Sequence, residues 1–449
     1  MIGLSVAMGP PYTIGGQIPV VFPSGFGWDQ GRFALQVSQV GARYQAEVDP
    51  RDLVDPAIWS GPAFHVDGGA GDDANTGLGV TDGDFSNAKR TIHAAFVAGN
   101  ATAGAYRVLV KAGQFEESAF TRNGNDEPNQ PVAILGWDGP VRYRTGPFSV
   151  NWTDAGGTFT AAVSSVKRAF RTDVLTPEGH YTELQLVADV ATCAATQDSW
   201  FLDGGTVHVN VGGQPGTGDI ALMRSFHGAR FLTHDRDIYF ENIHTEGGIT
   251  GSLHLDAVAT RNVVGVGCSF RYAAPSNPAA PLDAARVRRT DGLVAFFGCD
   301  ASFGAKDGWS FHEDGITGMH VLLQDCTGWR NGIDGASSCN GFTTHDSVRS
   351  VVLNGNFGLS RNGTEVHSIQ TAQTWLAGTS SRARDIDGTS IAFKCSNQSF
   401  MWLQDCTADA AGSTVNYALE VNAGTVFTRN FDIVSGDIEM SLGGSVSPF

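Results

Sequence analysis

Short apolar segments separated by Gly, Asp, Asn and Pro turns recur along most of the chain, and after Asp237 they follow one plan. Each is a few apolar residues long and ends in a small or polar residue, and successive ends are roughly 25 to 30 residues apart, with room for one further unit near Ala377. A period of about 20 to 50 residues with one short strand per unit and no helix is typical of a β-solenoid. The segments are 239–243, 264–268, 295–299, 322–326, 352–356 and 402–406.

Equivalent residues of neighbouring coils in a parallel β-helix lie about 4.8 Å apart and form ladders. The repeat places Cys268, Cys299, Cys326 and Cys406 in one ladder. We interpret them as small buried side chains that pack. The chain has seven cysteines, an odd number, without CxxC or zinc-site spacing, which argues against a disulfide framework and a zinc site.

The chain divides into three parts by composition. Residues 1–60 begin without charge up to Asp29 and predict an N-terminal arm that docks on a partner; the alternative is a cap on the following domain. Residues 61–236 predict an N-terminal cap, the first coils and inserted β-hairpins. Residues 237–449 predict regular coils and the C-terminal end.

Three local patterns stand out in the middle part. Ser86 is a candidate N-cap for a helix whose apolar side holds Ile92, Ala95 and Phe96. Residues 199–209 read as a hairpin with an Asp-Gly-Gly turn. The residues from Gly68 fit one copy of a calcium-binding nonapeptide, but that site needs tandem copies, so a glycine-rich turn is the favoured interpretation.

Charge narrows the choice of partners. Lys plus Arg number 29 against 46 Asp plus Glu, a net charge of −17, which argues against nucleic acid and anionic membranes as main partners. A neutral ligand, or one held by few charges, fits better. No apolar run is long enough for a membrane span, and the start lacks the basic, unbroken apolar character of a secretory signal. We therefore expect synthesis in the cytoplasm without a signal peptide.

The repeat, the run 108–117, the hairpin 199–209 and the segments 334–338 and 344–346 together resemble the right-handed parallel β-helix superfamily, which includes pectate lyases, polygalacturonases and phage tailspikes. The resemblance covers roughly residues 64 to 440. It implies an all-β fold: a right-handed parallel β-helix solenoid with a short N-terminal cap helix and an N-terminal docking segment.

Within that superfamily, the uncharged start and the charge-poor body look most like a virion spike of a phage or of a phage-like gene transfer particle. Such a spike is expected on the virion surface, attached to other virion proteins through residues 1–60, as a homotrimer that binds host capsular polysaccharide. Two alternatives stay open: a free polysaccharide hydrolase or lyase, and a purely structural virion fibre.

Polysaccharide binding requires planar hydrogen-bonding groups and aromatic faces, which the turns of coils 299–367 supply. Cleavage is an open question, with hydrolysis favoured over elimination; no cofactor and no metal are expected. Hydrolysis needs two carboxyl groups, about 5 Å apart for retention of configuration or about 6.5 to 9.5 Å for inversion. Asp307 stacked on Asp334 could meet the shorter spacing, and Glu313 or Asp314 with Asp334 or Asp346 the longer. The candidate ligand-binding residues are Trp309, His312, Trp329, Arg330, Asn331, Asn340, His345, Asp346, Arg361, Asn362 and His367.

Overall fold

A computed structural model describes residues 17–116, 127–232, 235–256, 261–275, 282–383, 389–411 and 415–449. The first 16 residues of the predicted docking arm therefore lie outside the described residues.

The predicted parallel β-helix is confirmed, because strands of successive coils pair in parallel on three sides of one solenoid. The first side comprises Ala63–Val66, Tyr106–Phe115, Val132–Arg144, Ile238–Glu241, Val263–Val266, Leu293–Phe297, His320–Gln324, Arg349–Leu353, Gln373–Ala377, Phe400–Gln404, Thr425–Arg429 and Ser445–Pro448. The second side continues from Val132–Arg144 through Ile243–Glu246, Ser269–Arg271, Asp300–Ser302, Thr327–Trp329, Asn356–Gly358, Ser380–Arg382, Thr407–Asp409 and Asp432–Ser435. The third side comprises Ala229–Phe231, Leu253–Asp256, Ala285–Arg288, Trp309–His312, Phe342–Thr344, Gly363–Ser368, Thr389–Ser396, Val415–Asn422 and Asp437–Ser441.

The cysteine ladder is also confirmed. Cys268, Cys299, Cys326 and Cys406 are all buried as free thiols in the solenoid core. The backbone N–H of Cys268 donates to Sγ of Cys299 on the next coil, at 3.3 Å. Apolar side chains from all three sides form one core cluster with these thiols, so the coils share one continuous core.

The cap helix exists, but its start was predicted wrongly. The helix is Ile92–Asn100, and the Thr91 side chain accepts a hydrogen bond from the N–H of Ala94. Ser86 instead lies in the 3₁₀ turn Phe85–Asn87, capped by Asp84. Ser and Thr are both good N-caps. Thr91 caps the helix because it directly precedes the apolar residues of the helix, whereas Ser86 lies in the preceding turn.

The glycine-rich turn after Asp67 is held by the protein's own groups. Asp67 Oδ1 accepts N–H groups of Gly69 and Ala70, and its Oδ2 pairs with Lys111 at 2.7 Å. Asp73 accepts from the backbone of Arg90 and Thr91. These carboxylates therefore fix a turn against the first coil.

Residues 17–60 lie along the outer face of the first side rather than projecting from the solenoid. Phe22 packs edge-on against Trp375 with ring centroids 5.0 Å apart, and Trp59 packs against Tyr239 at 5.0 Å. The described part of the predicted arm thus covers its own domain, because the first side turns large apolar side chains outward. Its elements are the strands Ile18–Val20, Val37–Val40 and Arg43–Ala46, the 3₁₀ helix Pro50–Leu53 and the helix Ala57–Ser60.

An inserted β-subdomain docks on the second side. The predicted hairpin is confirmed as Ser199–Asp203 paired antiparallel with Thr206–Asn210. The Arg168 guanidinium donates to the backbone carbonyls of Ala273 and Phe303 at 2.8 and 2.7 Å, which ties the insertion to the solenoid. Its other elements are Thr153–Asp154, Phe159–Ala161, Val166–Leu175, Tyr181–Glu183, Gln185–Leu186, Ile220–Arg224 and the helix Val190–Ala195.

Candidate functional site

The outer face of the third side carries a line of polar residues, one from each of its first seven strands. Each strand alternates core-facing and outward residues, so His254 points outward between the buried Leu253 and Leu255. Parallel register aligns its equivalents on neighbouring strands. Because paired strands are about 4.8 Å apart, the four steps from His254 to His367 span about 19 Å. We call this line the polar row; it consists of Arg230, His254, Arg286, Ser310, Thr343, His367 and Lys394.

Several members of the polar row are buried although they point away from the core. His254 and His367 are each 7% exposed, and Thr343 is 0% exposed. Both ring nitrogens of His254, the hydroxyl of Thr343 and Nδ1 of His367 have no hydrogen-bond partner among the described residues. Buried polar groups are nearly always hydrogen-bonded, so three such groups along one line of the surface indicate a ligand-binding strip.

A second row, Asp256, Arg288, His312 and His345, lies next to the polar row, two residues further along each strand. The rings of His312 and His345 stack with centroids 4.0 Å apart and planes 14° apart. Burial, followed by the nearby His345, lowers the pKa of His312 to about 3. Both rings are therefore neutral at pH 7, because burial also lowers the pKa of His345.

Most charges on this face are compensated in pairs. Arg288 pairs with Asp314 and lies 3.9 Å from Asp256, and Lys394 pairs with Glu420 at 2.9 Å. Neutral rings and paired charges next to unpartnered polar atoms suit a ligand rich in hydroxyl groups.

His312, Asp314 and Asp346 have ligand atoms within 4.8 Å of one another. The carboxylates already have protein partners: Asp314 pairs with Arg288, and Asp346 Oδ2 accepts the N–H groups of Glu313 and Asp314 at 2.9 and 3.0 Å. This pattern is that of a hydrogen-bonded turn, and we assign no metal to it.

The predicted stack of Asp307 on Asp334 is not formed. Asp307 lies beside Asp283 of the preceding coil, whose Oδ1 accepts the Asp307 N–H at 3.2 Å, and beside Asn340 of the next coil, which donates to Asp307 Oδ1 at 3.0 and 3.2 Å. Asp334 is exposed and pairs with Arg361. The loop before Phe342 is longer than the loop before Trp309, so counting from the cysteines gave the wrong partner.

The Asp283–Asp307 pair adjoins the polar row. Asp283 and Asp307 are 4% and 2% exposed, and Asp283 Oδ2 lies 3.7 Å from Nε of Arg286. Burial and the neighbouring Asp283 carboxylate raise the pKa of Asp307 well above its usual range. A raised pKa is the property predicted for a stacked pair, but the partner is a different one.

Three predicted site residues are structural. Trp309 is fully buried in the core and donates from Nε1 to the Thr327 carbonyl at 2.8 Å, so it cannot stack on a sugar. Glu313 accepts N–H groups of the turn before the next strand, and Asn331 Oδ1 accepts the N–H of Gly304 at 2.8 Å. Trp309 faces inward because side chains alternate along a strand, and its neighbour Ser310 faces outward.

A second group of predicted residues lies on the second side and its loops. Trp329 is 8% exposed beneath Arg382, whose guanidinium carbon lies 5.8 Å from the ring centroid. Arg330 pairs with Glu178 of the insertion at 2.9 Å. The carbonyl of Asn362 accepts the N–H of Ser338 at 2.9 Å. These residues, with Asp334 and Arg361, serve loop packing and subdomain docking.

The structure thus brings together His312, Asp314, His345, Asp346 and His367 on the third side. The sequence analysis missed the other members of this surface. Their signal was a polar or basic residue between two apolar ones, repeated once per coil at unequal intervals. The missed residues are Arg230, His254, Asp256, Arg286, Arg288, Ser310, Thr343 and Lys394.

Comparison with known proteins matches the chain to no family model and to no curated protein. Among solved structures, it is similar to a glycoside hydrolase, with a TM-score of 0.43 and 8% identity over 86% of this chain and 96% of that one. It is similar to a pectate lyase, with a TM-score of 0.37 and 12% identity over 89% of this chain and 82% of that one. It is also similar to a tailspike protein of Pseudomonas phage LKA1, with a TM-score of 0.22 and 12% identity over 79% of this chain and 72% of that one. At these scores the matches carry no argument about ligand or activity. None of the described helices is long and apolar enough to cross a membrane.

Proposed function

We propose that the protein is a virion-associated spike that binds host surface polysaccharide along the polar row. The observation that carries the binding proposal is the set of unpartnered polar atoms on the outward-pointing side chains of His254, Thr343 and His367. Neighbouring side chains cover these atoms and must shift for a ligand to reach them. These atoms lie on three coils along about 19 Å, with Thr343 and His367 on adjacent coils, as an extended ligand requires. Sugar hydroxyls both donate and accept hydrogen bonds, so they can satisfy an imidazole nitrogen and a threonine hydroxyl alike.

Thr343→Val tests the binding site, since valine keeps the shape of threonine and removes only the hydroxyl. Retention on capsular polysaccharide should weaken roughly 2- to 10-fold, the loss of one hydrogen bond. The free energy of unfolding should stay the same or rise by about 1 kcal/mol, because an unsatisfied buried group is removed. Polysaccharide retention and denaturant titration measure the two effects.

Thr344→Val is the matched control. Thr344 follows Thr343 on the same strand but faces the core, where its hydroxyl lies 3.3 Å from that of Thr374. The control should lose stability and keep its glycan affinity. Equal affinity in Thr343→Val and the unchanged protein would contradict binding at the polar row.

The virion placement is supported by the uncharged start and the superfamily resemblance, which also imply a homotrimer. Attachment through residues 1–60 stays a prediction, and residues 17–60 contact the solenoid on one side. Immunogold labelling of purified particles tests this placement. If the particles are not labelled, the protein is a free glycan-binding protein and not a virion component.

Hydrolysis is a second candidate function, favoured by the raised pKa of Asp307 beside Asp283. Both aspartates lie just before paired strands of adjacent coils, which are about 4.8 Å apart, close to the carboxyl spacing of retaining enzymes. If the pair is catalytic, Asp307→Asn should lower cleavage at least about 100-fold. Asp334→Asn, at an exposed carboxylate, should cleave normally. Reducing-end release from capsular polysaccharide measures both variants, and full cleavage by Asp307→Asn would exclude the pair.

A further inference from the structure

We propose that residues 21–36 form a lid that opens at acidic pH and uncovers Trp375 and Trp402 on the first side. The trigger is His320, whose ring lies beneath the lid. This inference goes beyond the proposed function, because it concerns a movement on the first side and does not involve the polar row.

The lid is a loop whose two ends are held together. Ile18–Val20 pairs antiparallel with Val37–Val40, so residues 21–36 leave and rejoin the same small sheet. Tyr44, on the third strand of this sheet, fixes the sheet to the solenoid. Its N–H donates to Asn354 Oδ1 at 2.9 Å, and the Asn354 side-chain amide donates to the Tyr44 carbonyl at 2.7 Å. The loop can therefore lift while its base stays in place.

The contact between the lid and His320 fixes the protonation state of the ring. His320 Nδ1 lies 2.9 Å from the Gly318 carbonyl, which can only accept, so this nitrogen carries the proton. Nε2 accepts the backbone N–H of Asp29 at 3.1 Å, so this nitrogen is unprotonated. A second proton on the ring would set one N–H against another. Protonation of His320 and closure of the lid over it therefore exclude each other.

Aromatic side chains of the lid enclose the ring. The ring centroids of Trp28 and Phe33 lie 4.8 and 5.0 Å from that of His320, which is 4% exposed. Trp28 Nε1 donates to the Phe33 carbonyl at 2.8 Å, so the two aromatic residues are held together. Water reaches the imidazole freely only when this part of the lid moves away.

The charged groups that face His320 are Asp29, Arg32 and Arg349. Each arginine has an acidic neighbour of its own, Asp291 for Arg32 and Glu313 for Arg349. Burial is the largest effect on the ring, and it lowers the pKa of His320. The closed lid thus favours the neutral imidazole.

The closed lid also covers two indole groups that lack partners. Trp375 and Trp402 lie on adjacent strands, beneath Phe22 and Phe26, with ring centroids 5.0 Å apart for Phe22 and Trp375 and 5.4 Å apart for Phe26 and Trp402. Both indoles are buried, and neither Nε1 has a hydrogen-bond partner among the described residues. A buried donor without a partner is costly, and water satisfies it once the lid is raised. This cost brings the open state closer in free energy to the closed one.

Acidification favours the open lid. An exposed histidine has a pKa of about 6.5, so the ring takes up a proton more readily when the lid is open. The closed state therefore has its full advantage above pH 6.5. As the pH falls below that value, the ratio of closed to open lid should drop by up to about 10-fold per pH unit, the limit for one proton.

Hydrogen exchange of the full-length protein, followed by mass spectrometry and corrected for the intrinsic pH dependence of exchange, measures lid opening. From pH 7 to pH 5, amides of residues 21–36 should lose protection by up to about 10-fold per pH unit below 6.5, and amides of Arg43–Ala46 should lose much less. His320→Gln keeps an acceptor for the Asp29 N–H and cannot titrate, so its lid should stay protected at pH 5. His312→Gln, at a histidine of the third side, is the matched control and should lose lid protection as the unchanged protein does.

A selective loss of lid protection that is absent from His320→Gln supports the inference. Equal protection at pH 7 and pH 5 in the unchanged protein, or the same loss in His320→Gln, overturns it. A parallel loss at Arg43–Ala46 also overturns it, because the whole N-terminal part then unfolds together. The comparison of the two segments in the unchanged protein decides the matter if His320→Gln does not fold.

Discussion

Trp309→Ala should lower the free energy of unfolding by about 3 to 5 kcal/mol and leave the glycan affinity of the folded protein unchanged. Trp309 is fully buried, and its ring centroid lies 4.8 Å from that of Phe296 and 6.1 Å from that of Phe270. Truncation removes these contacts, leaves a cavity between coils and frees the Thr327 carbonyl that accepts the indole N–H. Guanidinium denaturation measures the loss.

Trp59→Ala is the control, because Trp59 is only half-buried against Tyr239 on the outer face of the first side. It should cost clearly less stability than Trp309→Ala. A Trp309→Ala protein that is as stable as the unchanged one but retains less polysaccharide would place Trp309 on the surface, as the sequence suggested, and contradict the structure.

Acidification from pH 7 to pH 5 should destabilise the protein strongly. Burial lowers the pKa of His227, His244 and His254 to about 4 and that of His312 to about 3. Below the unfolded value of about 6.5, the unfolded chain binds protons that the native state refuses. The stability these histidines contribute is therefore present above pH 6.5 and lost as the pH falls towards 4.

Asp307 acts in the opposite direction. Its pKa is raised well above the unfolded value of about 3.9, so the stability it contributes is present at low pH and lost as the pH rises through the native pKa. Burial also lowers the pKa of His320, His345 and His367, so the histidines outweigh Asp307 and stability should fall from pH 7 to pH 5.

Denaturation midpoints at pH 5, 6, 7 and 8 test this dependence. His254→Asn should flatten the acid side by about 1.4 kcal/mol per pH unit, and Asp307→Asn should steepen it by a similar amount. Constant stability from pH 7 to 5 would show that these rings are accessible to protons in the native state.

Much of the architecture could be predicted because it depends on local pattern. The recurring apolar segments predicted the coils. They also predicted the ladder of Cys268, Cys299, Cys326 and Cys406, because each of these cysteines ends one of the segments. The cap helix was predicted with its apolar side but with the wrong N-cap, since Thr91 and Ser86 are chemically equivalent candidates. The packing of residues 17–60 on the first side was not predicted, because the sequence does not show which outer face of the solenoid is apolar.

The candidate site was predicted less well, for a geometrical reason. The loops between the second and third sides differ in length, so equal counting from each cysteine paired Asp307 with Asp334 instead of Asp283. The same error made Trp309 a surface residue, although strand alternation turns it into the core. His312, His345 and His367 were named correctly as residues of one surface, but His254 and Arg286 were not.

The sequence by itself determined that this chain winds into coils, since a repeating alternation of apolar and polar residues buries its apolar side only when equivalent strands stack. It also determined the acidic, charge-poor character that disfavours nucleic acid. Only the tertiary structure decided which residues share a wall, because contact across coils depends on loop lengths summed along the chain. The tertiary structure therefore brings the unpartnered groups of His254, Thr343 and His367 onto one line. The residues next to each of them in sequence do not specify this arrangement.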